Sequence, residues 1–110
     1  MFRLFRVRGR SMLPTLSDGD FVVARRLDPT TRRRLRAGRV VCVEHQHLGP
    51  IIKRIRRITT EQCELVSDGQ LGAESEALGS VDLQRLTHAA CFAITPRGFK
   101  RVNQAAADRL

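Results

Sequence analysis

Ser11 lies in the run Val7-Arg-Gly-Arg-Ser-Met-Leu-Pro-Thr-Leu-Ser-Asp-Gly-Asp20. A serine hydroxyl is a weak nucleophile until a neighbouring base takes its proton. The residues around this one are suited to presenting it. Leu13 precedes Pro14 and is therefore biased toward extended backbone. Ser17-Asp18-Gly19-Asp20 is a turn cluster. An apolar run then starts at Phe21, so one hydroxyl is held at the mouth of a tight turn.

The matching base is a lysine well downstream. Over Ile51–Ile58, strand alternation puts Ile51, Lys53, Ile55 and Arg57 on one face and Ile52, Arg54, Arg56 and Ile58 on the other. Lys53 is flanked on its own face by two isoleucines. Partial desolvation there disfavours the charged amine and lowers its pKa, and a neutral lysine is what a general base at ordinary pH has to be. Arg54 and Arg56 read as solvent-facing. A serine in a turn usually just bonds locally; what raises Ser11 above that is the ordered set of turn, apolar strand and lysine-bearing strand.

Other chemistries find less support. Cys42, His45 and His47 are close in sequence and offer thiolate and imidazole ligands. On an alternating strand, however, Cys42 faces away from both histidines, and no fourth ligand is evident. No metal and no cofactor is expected. His88 is isolated and reads as structural, and a Ser–His–Asp arrangement through His45 or His88 has no motif behind it. The three cysteines, Cys42, Cys63 and Cys91, are odd in number and widely spaced. They read as reduced, buried thiols, which fits a cytoplasmic home.

The elements that must position these residues are short and β-prone. Residues 2–8 read as a strand, with Phe2 and Leu4 on one face and Arg3, Phe5 and Val7 on the other. Phe21–Ala24 reads as a strand buried on both faces. Arg25–Arg36 is polar and is expected to be a solvated loop or one helical turn capped by Thr30 or Thr31. Val40–Val43 is a second β-prone run, and Gly49-Pro50 suggests a hairpin into Ile51–Ile58. Cys63–Val66 is a short strand, followed by a sharp turn at Ser67-Asp68-Gly69. Residues 70–78 read as loop, Ser80–Leu83 as the start of a helix or strand, and Leu86–Ile94 as the closing strand, ended by Pro96-Arg-Gly98. The tail, 96–110, reads as a short helix or a frayed end. The fold class is mainly β: a single small domain of short, mostly antiparallel strands in a compact, partly barrel-like sheet.

The chain has 110 residues, 42% of them hydrophobic, enough for one domain with one modest core. No run approaches the roughly 18 apolar residues of a membrane-spanning helix, and the charged N-terminus lacks a signal-peptide core. Phe2, Leu4 and Phe5 among arginines leave a peripheral membrane contact open. The net charge is +9, from 20 Lys+Arg against 11 Asp+Glu, which favours acidic partners in general. With five Phe and no Tyr or Trp, a stacking platform for nucleic acid is not favoured. Nothing in the sequence sets the oligomeric state.

The ordered set resembles the Ser–Lys peptidase superfamily of type I signal peptidases and LexA-like self-cleaving repressors. Gly9, Ser11, Met12 and Pro14 match its nucleophile box, with Thr15 and Leu16 continuing the signal-peptidase form. Gly19-Asp20 matches its Gly-Asp, and Ile52-Lys53-Arg54-Ile55 matches its base-bearing strand. The resemblance covers about residues 7–90. It implies a LexA- or signal-peptidase-like fold, Ser11 as nucleophile, Lys53 as base, and Gly9 and Met12 beside the substrate and oxyanion site. Pro14, Thr15, Gly19, Asp20 and Arg54 would be scaffold, and the substrate a protein or peptide. The short unanchored enzymes that trim the N-terminal extension of nickel superoxide dismutase are similar in size and layout.

Departures from the family pattern are Gly38-Arg39 in place of a second Gly-Asp, Gly72 in place of the serine that orients the lysine, and Glu76 in place of an arginine. Gly79 agrees. Two alternatives stay open. One is a LexA-like self-cleaving regulator, against which the ten residues before Ser11 leave no room for a DNA-binding domain. The other is a degenerate basic module that binds nucleic acid or an anionic surface through Arg32–Arg36 and Arg54–Arg57.

Overall fold

The computed structural model describes residues 1–69 and 79–102. The elements are β1 (Phe2–Arg6), β2 (Phe21–Arg26), α1 (Pro29–Arg33), β3 (Val40–His45), β4 (Gly49–Ile58), β5 (Gln62–Val66), β6 (Ser80–Asp82), a 3-10 turn (Leu83–Arg85), β7 (Leu86–Thr95) and β8 (Gly98–Arg101). The strands form one antiparallel sheet in the order β1-β2-β7-β3-β4-β5-β6, and β8 pairs with β7. The mainly β expectation holds. The sheet stays open, with β1 and β6 at its two ends.

The continuous apolar run Val40–Val43 has a simple reason. Val40 and Cys42 join one buried cluster, with Val7, Met12, Leu16, Val22 and Ala90. Val41 and Val43 join a second, with Leu35, Ile55, Cys63, Leu65 and Leu86. A strand buried on both faces needs no polar alternation, and β3 is the layer between two cores. β2 differs from expectation: Val22 and Ala24 are buried, while Phe21 is 39% exposed. It alternates because one face of this part of the sheet carries Phe21, Leu4 and Phe92 outward.

The Arg25–Arg36 stretch contains α1, and its cap is Asp28 rather than Thr30 or Thr31. Asp28 Oδ1 accepts from the Thr31 N–H at 2.8 Å, and Thr31 Oγ1 accepts from the Asp28 N–H at 2.8 Å. This reciprocal capping box is completed by Pro29 at the first helical position. The β3–β4 hairpin forms as anticipated, pairing Val41 with Lys53 and Cys42 with Ile52.

Two further expectations are corrected. The register of β4 against β5 shifts between Ile55 and Arg57. This bulge inserts Arg56 and reverses the parity beyond it, so Ile58 rather than Arg57 packs with Ile51 and Ile55 against the second cluster. After β7 the chain turns at Pro96-Arg97 into β8, so Gly98–Arg101 is a strand rather than the start of a tail helix. Residues 103–110, with the alanine run, lie outside the described residues. Among the described residues no helix is long and apolar enough to cross a membrane.

Candidate active site

The Ser11 loop is clamped at its base. The Val7 N–H donates to Asp20 O at 2.8 Å and the Gly19 N–H to Val7 O at 2.9 Å, joining the end of β1 to the start of β2. Gly19 adopts φ 91°, where a side chain would be strained. Asp20 is buried, and its Oδ2 accepts from the Ser17 N–H at 2.9 Å. Gly9 donates its N–H to Asp18 Oδ1 at 2.7 Å, a bond across the loop. Residues 11–15 form consecutive turns that include a cis Leu13–Pro14 peptide. Met12 and Leu16 drop into the first core cluster at 2% and 0% exposure, leaving Ser11 half-buried between them and solvent.

Ser11, Met12 and Lys53 line one cleft of about 850 Å³, together with β1, residues 50–52 of β4, Cys42–Glu44 of β3, and Thr87 and His88 of β7. Lys53 is buried at 8% exposure. Its Nζ donates to Ser67 Oγ at 2.8 Å. Ser67 is therefore an orienting hydroxyl for Lys53. Gly72 and Glu76, which stand at the family's usual positions, lie outside the described residues.

Arg54 is the main correction at the site. It is buried at 5% exposure rather than facing solvent. Its Nε and Nη2 bind Asp68 Oδ1 and Oδ2 at 2.7 and 2.6 Å, and its Nη1 donates to Gly38 O at 2.5 Å. Thr15 Oγ1 donates to Asp68 Oδ2 at 2.5 Å. Alternation did carry Arg54 away from Lys53. What it could not show is that the other face is also interior, facing the Ser11 loop. A planar guanidinium binding both carboxylate oxygens fixes direction as well as distance. Through Asp68 it ties β4 to the loop at Thr15.

Gly69 completes the junction. Its N–H donates to Ser11 O at 2.7 Å. A Cβ at Gly69 would meet Ser11 O at 3.0 Å and Arg10 O at 3.1 Å, both backbone atoms. Ser67, Asp68 and Gly69 thus each serve a different part of the site: the lysine, the neighbouring arginine and the serine loop. From the sequence they read as a sharp turn. The available signal was their place directly after a short strand.

The remaining candidates separate clearly. His45 ends β3, and its Nδ1 accepts from the His47 and Leu48 N–H groups of the β3–β4 turn, each at 3.1 Å. His88 is buried in the cleft lining, edge-on to Phe5 with centroids 5.0 Å apart. Burial, then Arg3, Arg26 and the N-terminal amine, hold His88 below its ordinary 6.5. Cys42 also lines the cleft, but burial pushes its thiol up to about 12, so it stays protonated and is no nucleophile at neutral pH. Gly79 adopts φ 60° at the entry to β6.

The Peptidase S24-like family model matches residues 2–81. That span holds the Ser11 loop, the Lys53 strand and the Ser67–Gly69 turn. No curated protein and no solved structure matches the chain.

Proposed function

The chain belongs to the Peptidase S24-like family, and from that premise we propose that it is a serine endopeptidase that cleaves a precursor protein with Ser11 as nucleophile and Lys53 as base. The observation that carries the reading is the buried Lys53 amine, held by Ser67 in the lining of the cleft that Ser11 also lines. In this reading the amine is the proton acceptor for the Ser11 hydroxyl.

In this mechanism the Ser11 hydroxyl attacks the scissile carbonyl carbon while its proton passes to Lys53 Nζ. The tetrahedral adduct collapses, the C–N bond breaks, and the leaving amine takes the proton from Lys53. Water then attacks the Ser11 ester carbonyl, giving up a proton to Lys53; the C–Oγ bond breaks, Lys53 returns the proton to Ser11 Oγ, and the acid product departs. The backbone N–H of Ser11 is the proposed oxyanion donor. β1 is an end strand, and residues 50–53 of β4 precede the stretch that pairs with β5. Both line the cleft, so an extended peptide can bond to backbone there.

The deciding experiment is acylation by a small neutral serine-directed probe, read by intact mass. Wild type should take up one equivalent, and Ser11→Ala and Lys53→Ala none. Full labelling of Lys53→Ala would remove the lysine from the mechanism, and labelling of Ser11→Ala would remove the serine.

A further inference from the structure

We propose that the cleft selects acidic peptide segments, with Arg3 and Arg26 as the side chains that read them. The inference rests on the peptidase reading for its substrate class, since it concerns the same cleft. Besides Lys53, the lining includes Arg3, Arg6, Arg8, Arg26 and Arg32, against a single carboxylate among the described residues, Glu44. All but Arg32 are exposed. Among the described residues the ion pairs are Arg54–Asp68 and Arg57–Glu64, so none of these five arginines pairs with a described carboxylate. Arg32 instead donates Nε to Leu86 O at 3.1 Å.

Two of these charges reach into the cleft. Arg3 and Arg26 both act electrostatically on His88 in its lining, and Arg26 is the direct cross-strand neighbour of His88. Arg3 also lies 4.9 Å from the centroid of the Phe5 ring, a cation–π contact. A peptide with Lys or Arg near its scissile bond meets uncompensated like charge here, and one with Asp or Glu meets partners.

Nucleic acid is a poorer fit to the same charge. Among the described lining residues Phe5 is the one Phe, Tyr or Trp, and it is contacted by Arg3 and packed T-shaped against the His88 ring. It offers little of the open stacking face that single strands use.

The test uses the full chain carrying Ser11→Ala, so that bound peptide is not turned over. Fluorescence anisotropy compares peptides that differ only in carrying Glu, Gln or Lys around one small-residue site. A few exposed charge pairs should give the Glu peptide about a tenfold advantage over the Gln peptide at low salt. Arg3→Glu with Arg26→Glu should erase that advantage, and Arg56→Glu, whose side chain is exposed and outside the cleft lining, should leave it. Equal affinity for Glu and Gln peptides overturns the proposal. So does an equal loss in Arg56→Glu, which would mean net charge alone, or a thymidine oligonucleotide that displaces the Glu peptide at lower concentration. Acylation of wild-type Ser11 by the neutral probe is scored separately. Labelling without Glu preference sinks this inference alone, and Glu preference without labelling sinks the peptidase reading alone.

Discussion

Lys53 Nζ and Ser67 Oγ are 2.8 Å apart, joining the middle of β4 to the residue that follows β5. A lysine side chain has four rotatable bonds, and burial alone does not fix where its amine lies. The Ser67 hydroxyl accepts one N–H and so gives the amine a direction. The rest of that turn holds the arginine beside it and the serine loop, so one three-residue segment registers the two halves of the site.

Removing the Ser67 hydroxyl should therefore cost rate more than binding. For Ser67→Ala we expect kcat lowered by about 100-fold, within the range of a general-base contribution, with KM little changed. Ser67→Thr keeps the Oγ and should recover most of the rate. Steady-state kinetics on a peptide substrate decide it. If Ser67→Ala retains full kcat, Ser67 does not position the lysine.

Asp68 is predicted to matter for stability. The Arg54 and Asp68 side chains are 7% and 12% exposed, against 73% and 40% for Arg57 and Glu64. Taking the carboxylate from a buried guanidinium should cost about 3 kcal/mol, while losing an exposed pair costs about 0.5 kcal/mol or less. Urea unfolding of Asp68→Ala and Glu64→Ala should show that gap. Equal midpoints would mean that the Arg54 network contributes little to folding.

Gly69→Ala probes the approach to Ser11. The new Cβ would meet backbone atoms, Ser11 O and Arg10 O, so the loop must shift by a few tenths of an ångström. Small displacements of reacting groups lower rates steeply, by up to about 100-fold for 1 Å. We expect acylation of Ser11 to slow by about tenfold or more, with far-ultraviolet circular dichroism unchanged. An unaltered acylation rate would show that the loop is not held in position by Gly69.

How much of this was legible beforehand follows from which residues carry local signals. The turn at Ser17–Asp20, the β3–β4 hairpin and the place of Lys53 between Ile51 and Ile55 were readable, because turn chemistry and strand alternation act over a few residues. Ile58 was assigned to the wrong face because the bulge at Arg56 depends on pairing with β5, which the local pattern does not encode. Arg54 was misread for a related reason. Alternation gives a side chain's face, but whether that face is solvent depends on the Ser11 loop folding over it, 39 residues away in sequence for Thr15. Ser67 was missed because its partner is known only once β4 and β5 are side by side. Asp28 was a local signal overlooked, since Asp-Pro-x-Thr satisfies the capping box by itself.

His88 supplies the pH prediction. It is 7% exposed, and burial, then Arg3, Arg26 and the N-terminal amine, depress its folded pKa below the unfolded value of 6.5. Between those two values the unfolded chain binds the proton and the folded chain does not. Stability therefore rises with pH across that window, and is lost as pH falls below 6.5 toward the folded value. The groups facing His88 include no carboxylate among those that shift it, so nothing nearby compensates the charge when it protonates. Wild type should lose stability between about pH 7.5 and about pH 5.5, and His88→Asn should lose less over the same range. Carboxylate titrations elsewhere cancel in the difference between the two proteins. Arg3→Gln, by relieving the second-largest cause of the depression, should fall between them. Urea midpoints at the two pH values measure all three, and parallel losses in wild type and His88→Asn would show that His88 does not sense pH in this range.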